Sequence, residues 1–263
     1  MKPAALWPSA QTETWVEAPT RVFEDHGLLG AIRTVSNPTY RWGNCLVLPR
    51  PPEPEALPEW EARHRALFPH AAGAVPALYW QADGVPPALA TALVARGYHV
   101  AVEAPLLAPN AGTAAPTLPE GVDVRPARSA QDWRALVDFR LMLGAALPLD
   151  FLLRRLAGAW ATQQAVDGDW WILVKAGEVL GSMGLFWRDG VARYQDVDTH
   201  PDHRGRGLGR LLFHSVRAHG EATGAFQRQV IVADRGSLAH GWYQRMGFQP
   251  APGEVFAYRE GPK

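Results

Sequence analysis

Residues 200–210 contain glycines and arginines at a spacing that suits the binding of a phosphorylated ligand. Three glycines at alternate positions remove side chains, so backbone N–H groups can approach a ligand closely. A helix is predicted to begin inside the run, and its N-terminus adds a positive dipole end. Three arginines add positive charge. The run therefore predicts a pyrophosphate cradle made of Arg204, Gly205, Arg206, Gly207, Leu208, Gly209 and Arg210.

Two other interpretations of this loop are open. The first is a flexible surface turn, which the position between a strand and a helix disfavours. The second is the dinucleotide site of an oxidoreductase, which uses G-x-G-x-x-G inside a parallel βαβ unit. Here the spacing is G-x-G-x-G, and the strands predicted before it form an antiparallel meander. The dinucleotide interpretation therefore fits badly.

The second half of the chain contains the elements that must position the loop. A short strand over 122–126 precedes two helices, the first with Ser129 as a suitable N-cap. Three strands joined by tight turns follow, and the third ends at Thr199. A helix from about Leu208, a strand, a short helix and a last strand complete the order β-α-α-β-β-β-α-β-α-β. The pattern predicts a mixed α+β fold.

Residues 204–209 resemble the Arg/Gln-x-x-Gly-x-Gly/Ala loop of the GNAT superfamily of N-acetyltransferases. Residues 197–201, Val-Asp-Thr-His-Pro, resemble the end of that family's fourth strand, and residues 239–248 are similar to its closing segment, Ala-x-x-x-Tyr-x-x-x-Gly-Phe. The resemblance covers roughly residues 121–258. It implies the GNAT fold, a mostly antiparallel central sheet flanked by helices. It also implies acetyl-CoA as co-substrate.

The resemblance assigns cofactor contacts to the third strand and the loop. The backbone of Val197, Asp198 and Thr199 would bind the pantetheine arm, and the cradle would hold the pyrophosphate. A bulge in this strand would separate it from the next one and open a cleft.

The closing segment supplies a candidate proton donor and a further candidate cofactor contact. Tyr243 would lie near the cofactor sulfur, where its hydroxyl can donate a proton to the departing thiolate; a purely packing role is the alternative. The family often has Asn seven positions earlier, and this chain has Gly236 instead. Asp234 or Ser237 is the candidate for that lost contact, and we assign Ser237 to the cofactor-binding set.

Acetyl transfer also needs a base, because an amine of the lysine type has a pKa of about 10.4 and must lose a proton before it attacks. Asp196 and Asp198 lie on one face of the cleft strand if that strand is regular, and they are our catalytic candidates with Tyr243. His200 and Glu178 are alternatives. His200 and His203 lack a third metal ligand by sequence, so we expect no metal.

Composition narrows the class of protein. The 263 residues include 26 Lys+Arg and 26 Asp+Glu, a balance that argues against a nucleic-acid or anionic-membrane partner. A hydrophobic content of 47% indicates a globular core. No apolar run approaches the ~18–20 residues of a membrane span, and the first ten residues do not resemble a secretory signal. The single cysteine, Cys45, excludes an internal disulfide framework. We expect a cytoplasmic protein.

The first half carries no comparable loop. Proline and small residues over 105–119 predict a semi-rigid linker between an α+β domain at 1–104 and the GNAT domain at 120–263. Residues 89–98 repeat the helix-to-glycine-aromatic ending of the second half. The first domain thus resembles a degenerate GNAT copy that has lost its phosphate loop; an unrelated α+β cap is the alternative. Trp42, Trp60 and Trp80 are interpreted as core residues, or else as the wall of an acceptor cleft.

Three functional hypotheses follow, in this order. The first is an acetyl-CoA-dependent N-acetyltransferase that acts on a small-molecule amine by direct attack in a ternary complex. The second is a non-catalytic acyl-CoA sensor or interaction protein on the same fold, and the third is the oxidoreductase. We expect one acetyl-CoA per chain, and the monomeric or dimeric state is left open.

Overall fold

The chain contains seven α-helices and twelve strands within the residues that the structure describes. The computed structural model describes residues 6–16, 21–69 and 76–259. The helices are α1 (Pro8–Glu13), α2 (Leu57–Leu67), α3 (Pro87–Ala95), α4 (Ala130–Leu143), α5 (Leu149–Ala165), α6 (Leu208–Ala222) and α7 (Leu238–Arg245). The strands are β1 (Arg21–Asp25), β2 (Gly30–Thr34), β3 (Asn44–Leu48), β4 (Ala77–Gln81), β5 (Tyr98–Pro109), β6 (Val122–Pro126), β7 (Asp167–Lys175), β8 (Glu178–Arg188), β9 (Gly190–Thr199), β10 (Phe226–Asp234), β11 (Gln249–Pro250) and β12 (Glu254–Arg259). The element order predicted for the second half is confirmed, and so is the mixed α+β class.

The chain forms two compact units that do not follow its two halves. The first unit comprises Met1–Leu106 and Val232–Lys263, and the second comprises Leu107–Ile231. Strand β5 extends to Pro109, so the first residues of the segment predicted as a linker at 105–119 belong to a strand. The predicted division into a 1–104 domain and a 120–263 domain stays a prediction about which parts fold independently.

The first unit has the strand order β1-β2-β3-β4-β12-β5, in which β3 and β4 are parallel and the other neighbours antiparallel. Strand β12, from the end of the chain, lies between β4 and β5: Val255 pairs with Trp80 on one side and with Val102 on the other. Because both edges of β12 are satisfied by strands from the first half, the C-terminal residues are an integral part of this sheet.

Alternate side chains of β3 pack in two different hydrophobic clusters of the first unit. Leu46 and Leu48 pack in one cluster, and Cys45 and Val47 pack in the other. Trp80 is fully buried in the first cluster and Trp60 packs against it; in the second, the ring of Trp42 stacks on Phe256 at a centroid distance of 3.7 Å. The three tryptophans therefore take part in core packing, as the first interpretation of the sequence has it.

The second unit has the strand order β10-β9-β8-β7-β6, with β9 and β10 parallel and the remaining neighbours antiparallel. Consecutive residues of a strand point to opposite faces, and here both faces are covered. The indole Nε1 of Trp170 donates to the carbonyl of Ala159 on α5, whereas the ring of Trp171 contacts His219 on α6. Helices α4 and α5 thus cover one face and α6 covers the other.

The chain that enters the second unit is held by Glu221, the penultimate residue of α6. Its carboxylate accepts hydrogen bonds from the backbone N–H groups of Ala111 and Thr113 and from the side chains of Arg217 and Gln229. Burial alone would raise the pKa of Glu221, but these four donors lower it to about 2. The middle of the segment predicted as a linker is therefore held in place by a buried, ionised group.

The element order of the first half repeats that of the second. Both contain three antiparallel strands, a helix, a fourth strand parallel to the third, and a further helix and strand. The connection after β3 differs from the one after β9. Residues 49–56 include four prolines, which lack N–H groups, and two glutamates, but no glycine. This connection cannot present a row of N–H groups to a phosphate.

Candidate functional site

Strand β9 contains a bulge close to its end. In the register with β8, Asp198 pairs with Ser182 and Gln195 pairs with Gly184, so Asp196 and Val197 together oppose Met183. Asp196 has φ of 42°, in the left-handed region that few non-glycine residues adopt. The parallel register with β10 runs from Gly190 to Arg193, before the bulge begins. The bulge expected from the family resemblance is therefore present, and it lies in the segment assigned to the pantetheine arm.

The cradle sequence forms an exposed loop directly after β9. A short 3-10 turn at Pro201–His203 ends the strand, and α6 begins at Leu208. Gly205 and Gly207 have φ of 75° and 79°, and a Cβ atom added at either would meet nothing within 4 Å. Glycine is thus needed here for backbone conformation, and the space beside these two residues is open to a ligand. A substitution such as Gly207→Val would strain the backbone as well as fill that space.

The N-terminus of α6 is fixed against the end of β9. The Leu211 N–H donates to the Gly207 carbonyl, so the N–H groups of Leu208, Gly209 and Arg210 precede the hydrogen-bond ladder of the helix. Gly209 approaches Thr199 so closely that a Cβ atom there would lie 2.9 Å from its Oγ1. The positive end of a 15-residue helix is therefore held beside the strand assigned to the cofactor.

Two arginines, one on α4 and one on α5, contact the bulge of β9. Arg140 Nη1 of α4 lies 3.1 Å from Asp196 Oδ2 and 3.1 Å from Asp198 Oδ2, and its Nη2 donates to the Asp196 carbonyl at 3.0 Å. Arg155 Nη2 of α5 lies 3.2 Å from Asp196 Oδ2. The guanidinium of Arg140 also lies over the Trp170 ring, 4.9 Å from its centroid. The two predicted carboxylates are therefore brought together by one guanidinium.

The two carboxylates differ in their protonation behaviour. Burial alone would raise the pKa of Asp196, but Arg155, Arg140 and Arg193 outweigh it and hold that pKa below its ordinary value. Burial raises the pKa of Asp198, and the negative charge of Asp196 adds to the rise despite Arg140. Two neighbouring carboxylates with pKa values moved apart are suited to separate roles.

The remaining predicted residues lie on α7, in the first unit. Tyr243 is 5% exposed and packs edge-on against Phe248. Ser237 is the N-cap of α7, and its Oγ accepts a hydrogen bond from the His240 N–H at 3.1 Å. The roles assigned to both residues remain predictions; Ser237 has in addition a structural task at the start of this helix.

The histidines near the loop have protein partners. The ring of His200 accepts a hydrogen bond from the Asp202 N–H through Nδ1, its Nε2 lies 3.9 Å from Glu178 Oε1, and the His203 ring packs edge-on against it. Among residues 6–16, 21–69 and 76–259 there is no group of three His, Cys, Asp or Glu side chains arranged to hold a metal ion.

Two residues that contact the bulge, Arg140 and Arg155, were not identified from the sequence. Arg140 follows Trp133 and Leu136 at helical spacing, so a cation on an otherwise apolar helix face was the available signal. Arg155 lies among apolar residues of α5 in the same way. Neither pattern indicates which distant carboxylate the arginine contacts.

Comparison with known proteins agrees with this geometry. Residues 166–250 match the family model of the GNAT acetyltransferase domain. A search of curated proteins gave no significant match.

No helix in the described part of the chain combines the length and the apolar character that crossing a bilayer requires.

Solved structures share the architecture across nearly the whole chain. A conserved protein of unknown function from Staphylococcus epidermidis superposes with a TM-score of 0.77 at 10% identity, covering 98% of this chain and 99% of the other. A GCN5-related N-acetyltransferase from Kribbella flavida gives 0.66 at 21% identity, covering 97% and 94%. A tandem GNAT protein from the clavulanic acid biosynthesis pathway gives 0.55 at 16% identity, covering 95% and 85%. The chain thus has the GNAT fold in a form found also in a tandem protein.

Proposed function

We propose that this chain, whose residues 166–250 carry a GNAT acetyltransferase domain, is an acetyl-CoA-dependent N-acetyltransferase that acts on the amine of a small molecule. The observation that carries the proposal is the sequence of features at the end of β9. A bulged strand leads directly into a glycine- and arginine-rich loop, and this loop opens a long helix.

The loop suits the pyrophosphate of the co-substrate. The N–H groups of Leu208, Gly209 and Arg210 would donate to phosphate oxygens, and the side chains of Arg204 and Arg206 would offset the negative charge. The backbone of Val197–Thr199 would hydrogen-bond the pantetheine amides. Because Gly205 and Gly207 leave open space, the phosphates can approach the backbone without a steric conflict.

The reaction is an acyl transfer with direct attack. The nitrogen lone pair of a neutral amine forms a bond to the thioester carbonyl carbon, the C–S bond breaks, and its electron pair leaves with sulfur. The amine loses one proton to a base, and the thiolate takes one from an acid, for which Tyr243 is our candidate. Cys45 supports direct attack rather than an acyl-enzyme, because it is fully buried and burial raises its pKa to about 12.

Asp198 is the better candidate for the base. Its raised pKa makes it more basic than an ordinary aspartate, whereas the arginines keep Asp196 ionised and weakly basic. Asp198 would accept the amine proton directly or through water. Asp196 would then hold Arg140 and Arg155 in place beside it.

The acceptor is proposed as a small amine, amino acid or aminated metabolite. The balanced charge of the chain gives no support for a polyanionic partner such as nucleic acid. A cytoplasmic location is proposed because acetyl-CoA must be available to the enzyme.

Calorimetric titration with acetyl-CoA tests the proposal first, with CoA and NAD as comparison ligands. We expect one site per chain, because the loop at 49–56 offers no second cradle, and no binding of NAD. Release of free thiol is then followed over a panel of small amines. Binding with no turnover on any amine would favour the acyl-CoA sensor, and a chain that does not bind acetyl-CoA would refute the proposal.

A further inference from the structure

Arg140 makes a set of contacts that all converge on the bulge of β9. One nitrogen reaches the carboxylates of Asp196 and Asp198, and the other donates to the main-chain carbonyl of Asp196. The carbonyl belongs to the residue with φ of 42°. Arg140 is therefore in contact with both the side chain and the backbone of the one strained residue in the strand.

The left-handed conformation of Asp196 requires support from its surroundings. A non-glycine residue in this region is disfavoured, and such residues persist where neighbouring structure over-determines them. In the bulge, two residues of β9 oppose one residue of β8, so the ladder is locally interrupted. Two like-charged carboxylates at i and i+2 add repulsion. A single guanidinium that binds both carboxylates and the carbonyl counteracts each of these effects.

The side chain of Arg140 is itself held in position. Its guanidinium lies over Trp170, 4.9 Å from the ring centroid, and its side chain is only 14% exposed. Trp170 is 4% exposed and is anchored to α5 through its indole N–H. The bridge is thus built on rigid elements of the second unit, and the cation–π contact limits the alternative positions that the guanidinium can adopt.

We propose that Arg140 is the positioning residue for acetyl-CoA binding: it fastens the β9 bulge and so presents the backbone of Val197–Thr199 to the pantetheine arm. It does so without touching the co-substrate. The inference rests on the proposed function, since it assigns a role in binding acetyl-CoA. Arg155 Nη2 lies 3.2 Å from the Asp196 carboxylate and provides a comparison for the loss of one charged contact to the bulge.

The test compares four variants of the full-length chain by calorimetry with acetyl-CoA. Arg140→Met is expected to weaken binding by about tenfold, because a charged donor to the bulge is lost. Arg155→Met is expected to weaken it less, since the contact to the backbone remains. Arg134→Met, an exposed arginine of the same helix, is the matched control and is expected to bind as the wild type does. Arg140→Lys keeps the positive charge but lacks the two separate Nη groups that contact the carboxylates and the carbonyl. It is also expected to bind acetyl-CoA more weakly than the wild type, and it replaces Arg140→Met if that variant does not fold.

A rescue experiment separates positioning from a general effect on folding. Glycine adopts positive φ without strain, so Asp196→Gly in the Arg140→Met background is expected to recover part of the lost affinity. A direct readout needs no ligand: the ¹³Cα and ¹³Cβ shifts of Asp196 in the labelled free protein are expected to leave the left-handed range in Arg140→Met.

Each outcome decides between the two proposals. If the wild type does not bind acetyl-CoA, the proposed function fails, and the chemical shifts of Asp196 still test the bridge. If the wild type binds and folded Arg140→Met binds equally well, the role of Arg140 is refuted. Equal losses in Arg140→Met and Arg155→Met, or unchanged Asp196 shifts, would also overturn it.

Discussion

Gly209 packs directly on Thr199: a Cβ atom added at Gly209 would lie 2.9 Å from the Thr199 Oγ1. The contact joins the first turn of α6 to the last residue of β9, so the helix N-terminus and the strand are set at a fixed separation. In the proposed complex the two elements bind different parts of one co-substrate molecule. Their separation therefore has to match the distance from pyrophosphate to pantetheine.

The first prediction follows from this contact. Gly209→Ala is expected to push α6 away from β9 and weaken acetyl-CoA binding about tenfold, because overpacking typically costs ~1–3 kcal/mol. Thr199→Ala in the same chain removes the conflicting hydroxyl and is expected to restore affinity. Gly84→Ala, where an added Cβ meets nothing within 4 Å, is the control. An unchanged dissociation constant in folded Gly209→Ala would argue against the cradle.

The second prediction concerns the pH dependence of turnover. A base must be unprotonated, so kcat/KM is expected to fall as the pH drops below the raised pKa of Asp198. Asp198→Asn is expected to lower kcat by about 10²-fold or more and to abolish this limb of the profile. Asp196→Asn should retain the limb but move it to lower pH, because the negative charge of Asp196 contributes to the raised pKa of Asp198. A wild-type pH profile in Asp198→Asn would transfer the role of base to another group.

The third prediction tests Tyr243 as the acid. Tyr243→Phe keeps the buried ring and removes only the hydroxyl, so turnover is expected to fall by ~10²–10⁴-fold while acetyl-CoA affinity changes little. Tyr258→Phe, on β12, is a control for loss of a tyrosine hydroxyl in the same unit. Full turnover in Tyr243→Phe would leave this residue with a packing role alone.

The fourth prediction concerns stability and Glu221. Its pKa is about 2 in the folded state against 4.5 for the free side chain. The stabilisation is therefore complete above about pH 4.5 and is lost as the pH falls toward 2. Glu221→Gln is expected to cost about 2–3 kcal/mol in the free energy of unfolding at pH 7, and the difference from wild type should shrink in acid. Denaturant titrations of the wild type and the variant at pH 7 and below pH 4 measure the two free energies of unfolding. A difference between the two proteins that does not change with pH would contradict the lowered pKa of Glu221.

The fifth prediction concerns the division of the chain. A fragment of residues 120–263 removes β4 and β5, the two neighbours of β12, so it is expected to be insoluble or only partly folded. Co-expression with residues 1–119 should recover a soluble complex that binds acetyl-CoA. If the 120–263 fragment alone is stable and fully active, the pairing of β12 is dispensable and the predicted 120–263 domain folds by itself.

Local signals explain what the sequence could predict. Ser129 accepts a hydrogen bond from the Asp132 N–H in a capping box, and glycines at positive φ mark the loop before α6. Helices α4 and α6 therefore begin where the sequence pattern predicts. The resemblance to the GNAT family predicted the bulge in β9. Within residues 122–259 short apolar runs between turn residues also predict the strands.

Features that depend on distant residues were not predictable. The contact between Arg140 and Asp196 joins residues 56 positions apart, and alternating aspartates look the same in a regular strand and a bulged one. In the first half, residues 41–48 are strand-like in sequence throughout, but Arg41–Gly43 form a 3-10 turn and the strand begins at Asn44. Helix α1 and strands β1 and β2 were not predicted. The insertion of β12 between β4 and β5 has no local signature, because a pattern of apolar residues does not name its partner strand.

The position of β12 also orders events on the ribosome. Gln81 pairs with Glu254, so β4 waits for a partner that is translated about 170 residues later. At ~5–20 residues per second, that interval lasts about 10–35 s. During this time the nascent N-terminal strands present an open edge, and the sheet of the first unit cannot be completed before β12 has been translated. A chaperone that shields this edge would therefore have the most effect early in synthesis, and a truncated messenger would yield a product with that edge permanently uncovered.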